Sequence, residues 1–343
     1  MNFDFTEDQH EIRRTARELL AARSPFARVR EHAEAGTYDD ALSQELGELG
    51  WPGIAVAEEH GGQGLGLVEL VILLEALGEA CAAVPLRGSA LAALFIEYAG
   101  SSDQQAQWLP GLASGALRGA VGEWSDGVAP LVPDAVGADV LVLLDPDGMA
   151  SLVAAADASI EPVNAIDPTR RYGKVVVADE GGMDLLAADT SEALRCAEVA
   201  VAAGLVGASQ RALDLTVAYV KDRKQFGVPI GSFQAVGHKA AQMLFDTEGA
   251  RSATLFGAWA ADADQDQLPL AAAIAKAAAS AGGRATTAAA IQLHGGIGFT
   301  WEADLHWLYK RAQLDAAFLG GPGTHRARVA ALSAERVAAA GTR

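Results

Sequence analysis

Residues 219–234, YVKDRKQFGVPIGSFQ, decide how this 343-residue chain is read. An Ala-rich helical pattern ends there in Lys221, Asp222, Arg223 and Lys224. Gly227, Pro229 and Gly231 then break the periodicity, and helical spacing resumes at Gln234. An exposed loop between two long helices that carries a fixed cation, an aromatic ring and an amide suits an anionic, planar ligand such as a nucleotide diphosphate. Arginine is the natural partner of such a group, because its planar fork makes two parallel bonds to phosphate oxygens. The plainer reading makes Arg223 an ordinary helix C-terminal cation favoured by the helix dipole. Taken alone, the stretch leaves both readings open.

Working outward, helical periodicity runs through 191–222, 234–262, 269–293 and 303–318 and persists to about Ala340. Four long helices of this kind form a bundle. A second interruption, QLHGGIGFT at 292–300, separates the last two. Gly295, Gly296 and Gly298 let backbone amides approach a ligand closely, and Gln292 can donate or accept beside them. A purely structural turn is the alternative, and His294 reads as a packed or solvated ring. No G-x-S-x-G, H-E-x-x-H or D-x-D-x-D-G pattern supplies a nucleophile or a metal site.

Upstream, Thr6 and Gln9 form a capping box that opens a helix to about Ala22. Further helical pattern covers 38–49, 67–83 and 89–112, the last interrupted by Gly100. Between them, WPGIAVAEEHGGQGLG at 51–66 mimics a strand followed by a phosphate loop. The glycine spacing fails G-x-G-x-x-G, because Leu67 stands where the third glycine belongs, so these residues are expected to be loop and turn. From Ala120 to Leu186 the pattern changes to short β-type runs, VLVLL at 140–144 and KVVVAD at 174–179. Helix, sheet, helix in three blocks is a multidomain α+β arrangement, not the alternating order of a doubly wound sheet. The expected domains are 1–117 (helical), 118–188 (a small β domain) and 189–343 (the helical bundle).

Composition narrows the partners. The 44 acidic and 26 basic side chains leave a formal charge of −18, which argues against nucleic acid or an anionic membrane. An anionic ligand then needs a local basic site. Two distant cysteines, Cys81 and Cys196, indicate neither a disulfide framework nor zinc. The longest uncharged run, 285–301, contains His294, Gln292 and three glycines and is unsuited to spanning a bilayer. The N-terminus, MNFDFTEDQHEIRR, is acidic where a signal peptide is basic, so a cytoplasmic setting is expected.

RKQFG at 223–227, FQ at 233–234 and QLHGGIGF at 292–299 together resemble the flavin-binding signature of acyl-CoA dehydrogenases, and EEHGGQGLGLVEL at 58–70 is similar to that family's N-terminal loop and helix. The resemblance covers nearly the whole chain. It implies an N-terminal α domain, a middle β domain and a C-terminal four-helix bundle that mediates a dimer or tetramer. In that family the two loops reach across the dimer interface to the ADP part of a neighbouring subunit's FAD. Arg223, Gln225, Phe226, Gln234, Gln292, Gly295 and Gly296 are thereby implied to hold the adenine nucleotide, with Arg223 on the pyrophosphate. Arg251 matches a helix position implied to approach the phosphates of CoA.

The departures from the family pattern are equally informative. Counted from GGIGF, the usual catalytic Glu position falls on Leu319, in FLGGPGTHR, and a leucine cannot abstract a proton. The alternative base position on the first bundle helix falls on Ala197. Its neighbour Glu198 is a candidate base, set against the reading of an ordinary interface or surface carboxylate, since adjacent helical residues point about 100° apart. In place of the family's T-E-P-x-x-G-S-D run stands GEWSDGVAP at 122–130, and no W-I-T-N run follows. The chain thus keeps the groups for a neighbour's ADP moiety while lacking flavin-ring contacts and a base. That asymmetry resembles the smaller, base-lacking subunit of bacterial heteromeric acyl-CoA dehydrogenases, which act on bulky thioesters such as steroid side chains.

Three expectations follow. The first is a subunit that contributes the ADP-binding half of an FAD site for α,β-desaturation of an acyl-CoA. The base would then sit on a homologous catalytic partner in an α2β2-type heteromer, and an electron-transfer flavoprotein would serve as acceptor. The second is a self-sufficient homomeric enzyme using Glu198, and the third a catalytically silent structural subunit.

Overall fold

The computed structural model describes residues 4–177, 183–187 and 189–341. Ala178 and Asp179 of the expected 174–179 strand, and Ala188 at the expected domain boundary, lie outside the described residues. By its packing the chain divides into two compact units: Met1–Phe26 with Val71–Ala82 and Glu198–Arg343, and Ala27–Leu70 with Ala83–Ala197.

The second of these units contains α2 (Phe26–Ala35), α3 (Asp40–Glu48), α5 (Leu86–Ala99), α6 (Ser102–Ala113) and two small sheets. Seven strands build the sheets: β1 (Gly119–Glu123), β2 (Val128–Val132), β3 (Val140–Leu144), β4 (Ala150–Ala154), β5 (Ser159–Pro162), β6 (Gly173–Val176) and β7 (Asp184–Leu185). They pair in the orders β1-β3-β4-β7 and β2-β6-β5. β3 is the VLVLL run, hydrogen-bonded on both sides and buried at every residue, which is why it reads as a continuous apolar run without alternation. α5 packs on β1 so closely that a Cβ at Gly119 would lie 2.5 Å from the Ala92 methyl. The 89–112 pattern is two helices because Gly100 and the Ser101–Gln104 capping box end one and open the next. Residues 51–66 form turns and a single 3-10 turn, Glu58–His60, with no strand, as the failed glycine spacing requires.

The first unit holds α1 (Glu7–Arg23), most of α4 (Leu67–Ala80) and the bundle: α7 (Ser191–Asp222), α8 (Gln234–Ala263), α9 (Leu268–His294), α10 (Leu305–Ala317) and α11 (Pro322–Gly341). The Thr6–Gln9 capping box opens α1 as expected. α9 packs against α8, α10 and α11, and its buried face is largely alanine, so the helix axes can approach closely. α4 meets α7 with near backbone contact: a Cβ on Gly78 would stand 2.2 Å from the Gly204 carbonyl oxygen. The fifth bundle helix, α11, begins at Pro322 after a turn in which Leu319 and Gly320 both take positive φ (54° and 90°). Among the described residues no helix is long and apolar enough to cross a membrane.

Candidate nucleotide-binding loops

α7 ends in a hydrogen bond from the Arg223 amide to the Tyr219 carbonyl (2.8 Å), and the Ile230 amide closes the loop onto the Arg223 carbonyl (2.8 Å). Between them β8 (Lys224–Gln225) and β9 (Val228–Pro229) form a hairpin whose two turn residues are Phe226 (φ 53°) and Gly227 (φ 82°). A two-residue hairpin turn of type I′ needs positive φ at both positions, and glycine meets that requirement without strain while phenylalanine does not. Phe226 is nevertheless there, 94% exposed, with its ring edge-on to Phe233 at 6.2 Å. The Arg223 guanidinium is exposed and makes no hydrogen bond or ion pair with any described residue. Gln234 opens α8 with its side chain exposed, where the free amides of a helix N-terminus favour an anion. Gln225 is partly engaged: its amide nitrogen donates to the Lys224 carbonyl (2.9 Å), leaving its oxygen to accept.

The second loop begins where Gly295 ends α9 at φ 63° and continues as a 3-10 turn, Gly295–Phe299. Nothing lies within 4 Å of a Cβ built on Gly295 or Gly296, so the turn is open on that side, while the Gly295 amide itself donates to the Gln292 carbonyl. Gly298 is a packing glycine, since a Cβ there would meet the Ile291 carbonyl oxygen at 2.4 Å. Gln292 is exposed on the last turn of α9.

The two loops are brought together by a pair that sequence reading passed over. The rings of Tyr219 and His294 stack at 4.2 Å with an interplanar angle of 20°, and the Tyr219 hydroxyl donates to the His294 carbonyl (3.3 Å). His294 Nδ1 lies 2.8 Å from the Ala290 carbonyl. Burial holds the His294 imidazole below its usual pKa against the opposing effect of that hydrogen bond, so it is neutral at pH 7 and Nδ1 carries the donated proton. Packed is therefore the right description of His294, and its position next to Gly295 gives the packing a consequence. The arrangement presents an unengaged guanidinium, an open glycine turn, carboxamides and exposed aromatics at the adjoining ends of α7 and α9. That chemistry fits the ADP portion of a dinucleotide.

The other candidates sit elsewhere in the bundle. Leu319 is buried and apolar, and so cannot serve as a base. Glu198 is 1% exposed, and its carboxylate is paired with the Arg328 guanidinium of α11, so the surface reading does not hold. Beneath the same turn, fully buried Lys276 donates to Ser280 Oγ (3.1 Å) and to the carbonyls of Asp315 (3.3 Å), Ala316 (3.4 Å) and Gly320 (3.0 Å). His325 Nε2 lies 2.9 Å from the Leu319 carbonyl, and burial pushes its pKa down to about 4. Neither Lys276 nor Arg328 is signalled by the sequence, where each is one more cation on an Ala-rich helix. Arg251 is not available to a phosphate. Its guanidinium is engaged by Glu75 (3.1 Å), Gln210 (2.7 Å) and Glu248.

A bundle with a donor-rich loop pair at the ends of two of its helices, in a chain that also carries two small β-sheets, is in keeping with the acyl-CoA dehydrogenase class. Residues 6–116 match the family model of the acyl-CoA dehydrogenase N-terminal domain, and residues 188–333 that of the C-terminal domain. The chain belongs to the acyl-CoA dehydrogenase family, whose cofactor is FAD. It is 36% identical over 321 residues to acyl-CoA dehydrogenase IpdE2 of Mycobacterium tuberculosis, covering 92% of this chain and 94% of the relative. Among solved structures it is similar to a Tcur3481-Tcur3483 steroid ACAD variant (TM-score 0.85, 29% identity, 97% and 99% of the two chains covered). The ChsE4-ChsE5 complex of M. tuberculosis shares the fold (TM-score 0.87, 24% identity, 98% and 99% covered).

Proposed function

We propose that this chain is the grip-supplying subunit of a heteromeric acyl-CoA dehydrogenase. The observation that carries the reading is the loop pair: the unengaged Arg223 guanidinium and the open Gly295–Gly296 backbone lie at helix ends tied together by Tyr219 and His294. FAD, when bound, accepts the hydride that leaves the β carbon of an acyl-CoA. Arg223 would hold the pyrophosphate through its planar fork, the open Gly295–Gly296 turn would let the anion approach the backbone closely, and Gln234 and Gln292 would hydrogen-bond the nucleotide. Phe226 covers its apolar edge, and Gln225 offers its free carbonyl oxygen.

The remaining steps belong to a homologous partner, which supplies the carboxylate that removes the α proton. Three observations support this division. Leu319 occupies the usual base position, Glu198 is held in a buried pair with Arg328, and the 122–130 segment is a tight turn at Asp126 and Gly127 that carries the chain from β1 of one sheet to β2 of the other. Large apolar side chains exposed in the bundle support assembly: Phe226, Phe245 (73%), Phe299 (80%) and Trp301 (69%). The structural relatives, a steroid ACAD and a two-component complex, favour a bulky acyl-CoA as substrate and an α2β2-type assembly. The functional division follows segments 1–117, 118–188 and 189–343, with an electron-transfer flavoprotein as acceptor and the cytoplasm as setting.

Arg223→Ala tests the reading in the complex that a tagged chain brings down from its native host. Flavin per complex is expected to fall at least tenfold with subunit composition unchanged, the loss of a charge-assisted bidentate contact worth ~1.5–3 kcal/mol. Unchanged flavin content would exclude the grip.

A further inference from the structure

Tyr219 is placed to do more than fill the end of α7. Its backbone carbonyl accepts the amide of Arg223 (2.8 Å), its hydroxyl donates to the carbonyl of His294 (3.3 Å), and its ring lies flat on the His294 imidazole at 4.2 Å. One half-buried residue thus touches the first residue of the arginine loop and the residue immediately before the Gly295–Gly296 amides.

Each loop is otherwise held by contacts of its own. The hairpin is closed on itself by Ile230 and by the Phe226–Phe233 contact. The Gly295 turn is closed on itself as well, through the Gly295 amide to the Gln292 carbonyl and the Thr300 amide to the Ile297 carbonyl. Bidentate contact to a pyrophosphate with simultaneous close approach to the glycine turn needs both loops within a few tenths of an ångström of register.

We propose that Tyr219 and His294 are positioning residues that fix the register between Arg223 and the open Gly295–Gly296 turn, so that one dinucleotide phosphate pair can be held by both loops at once. The inference rests on the reading of the two loops as the nucleotide grip. The neutral, Nδ1-protonated form of His294 suits the stack, because an imidazolium there would bring an uncompensated charge into a half-buried site. The hydroxyl sets the sliding position of one ring over the other, and the stack sets the separation.

Two variants separate the contributions in the purified native complex, with FAD removed and added back by titration. Tyr219→Leu keeps apolar volume but loses both the stack and the hydroxyl, and is expected to weaken FAD binding about tenfold. Tyr219→Phe keeps the stack and is expected to recover most of that loss, staying within about threefold of wild type. Melting temperature of the flavin-free complex and its mass by light scattering are expected to stay unchanged in both, a combination that a merely structural role would not give. Arg223→Ala is run alongside. If Arg223→Ala abolishes FAD binding while Tyr219→Leu binds as wild type, the positioning role is refuted and the grip stands. Equal weakening by the Leu and Phe variants refutes the stack as the source of register. If Arg223→Ala itself binds FAD normally, the grip fails and the inference with it. Should Tyr219→Leu not assemble, its role is that of a folding residue and the proposal is overturned unless His294→Ala, which assembles, reproduces the tenfold loss.

Discussion

Replacing Arg328 by methionine removes the counter-charge of a carboxylate that is 1% exposed. Methionine keeps the length and apolar stem of the side chain, so the change is electrostatic with little loss of packing. Stranding one member of a buried pair costs ~3–5 kcal/mol, and because the Arg328 side chain is 33% exposed, water can reach its end of the site and the lower figure applies. For a cooperative unit of about 150–250 residues each kcal/mol lowers the melting temperature by about 2–4 °C, so Arg328→Met is expected to melt about 6–12 °C early. The loss should shrink when the stranded carboxyl is itself neutralised by mutation, because the buried charge then disappears. Glu198→Gln combined with Arg328→Met should be more stable than Arg328→Met alone for the same reason. Scanning calorimetry of the three proteins at pH 7.5 measures all of this. A shift of less than about 2 °C for Arg328→Met, or a double variant no better than the single, would refute the view that the pair neutralises a buried charge.

Two further outcomes follow from the same bundle. His325 has its pKa lowered from 6.5 to about 4 by burial, so the folded state binds its proton less readily than the unfolded chain, and stability is expected to fall as pH drops from about 6.5 to about 4. His325→Asn should flatten that limb in a comparison of melting curves with wild type, since carboxyl groups that titrate nearby are common to both proteins. Phe226→Gly relieves a left-handed phenylalanine worth ~1–2 kcal/mol and removes an exposed ring, so the flavin-free chain should melt higher while the assembled complex binds FAD less tightly. A variant that gains stability with undiminished FAD binding would show that the ring has no external contact.

The long helices were legible because their signals are local. α7 occupies 191–222 as its periodicity and the Arg223–Gly231 breakers require, and α1 opens on a capping box written in two residues. β3 was legible as an uninterrupted apolar run. α2 was not, since FARVREHAEA is short and polar and buries only Val29 and Ala33, so no apolar stripe announces it.

The two loops could be read from residue type and spacing, but their union could not. Tyr219 and His294 are 75 residues apart, and nothing in either neighbourhood marks a stacked pair. Glu198 shows the same limit. Its burial depends on Arg328, 130 residues on, and a carboxylate in an Ala-rich helix looks alike whether it faces water or an arginine.

The visible spectrum of the purified chain alone, taken with light scattering, tests the central claim most directly. The account predicts no flavin absorbance from the isolated chain, with FAD appearing only in the complex with its catalytic partner. Stoichiometric FAD in a stable homodimer or homotetramer would contradict it and return Glu198 to consideration as the base.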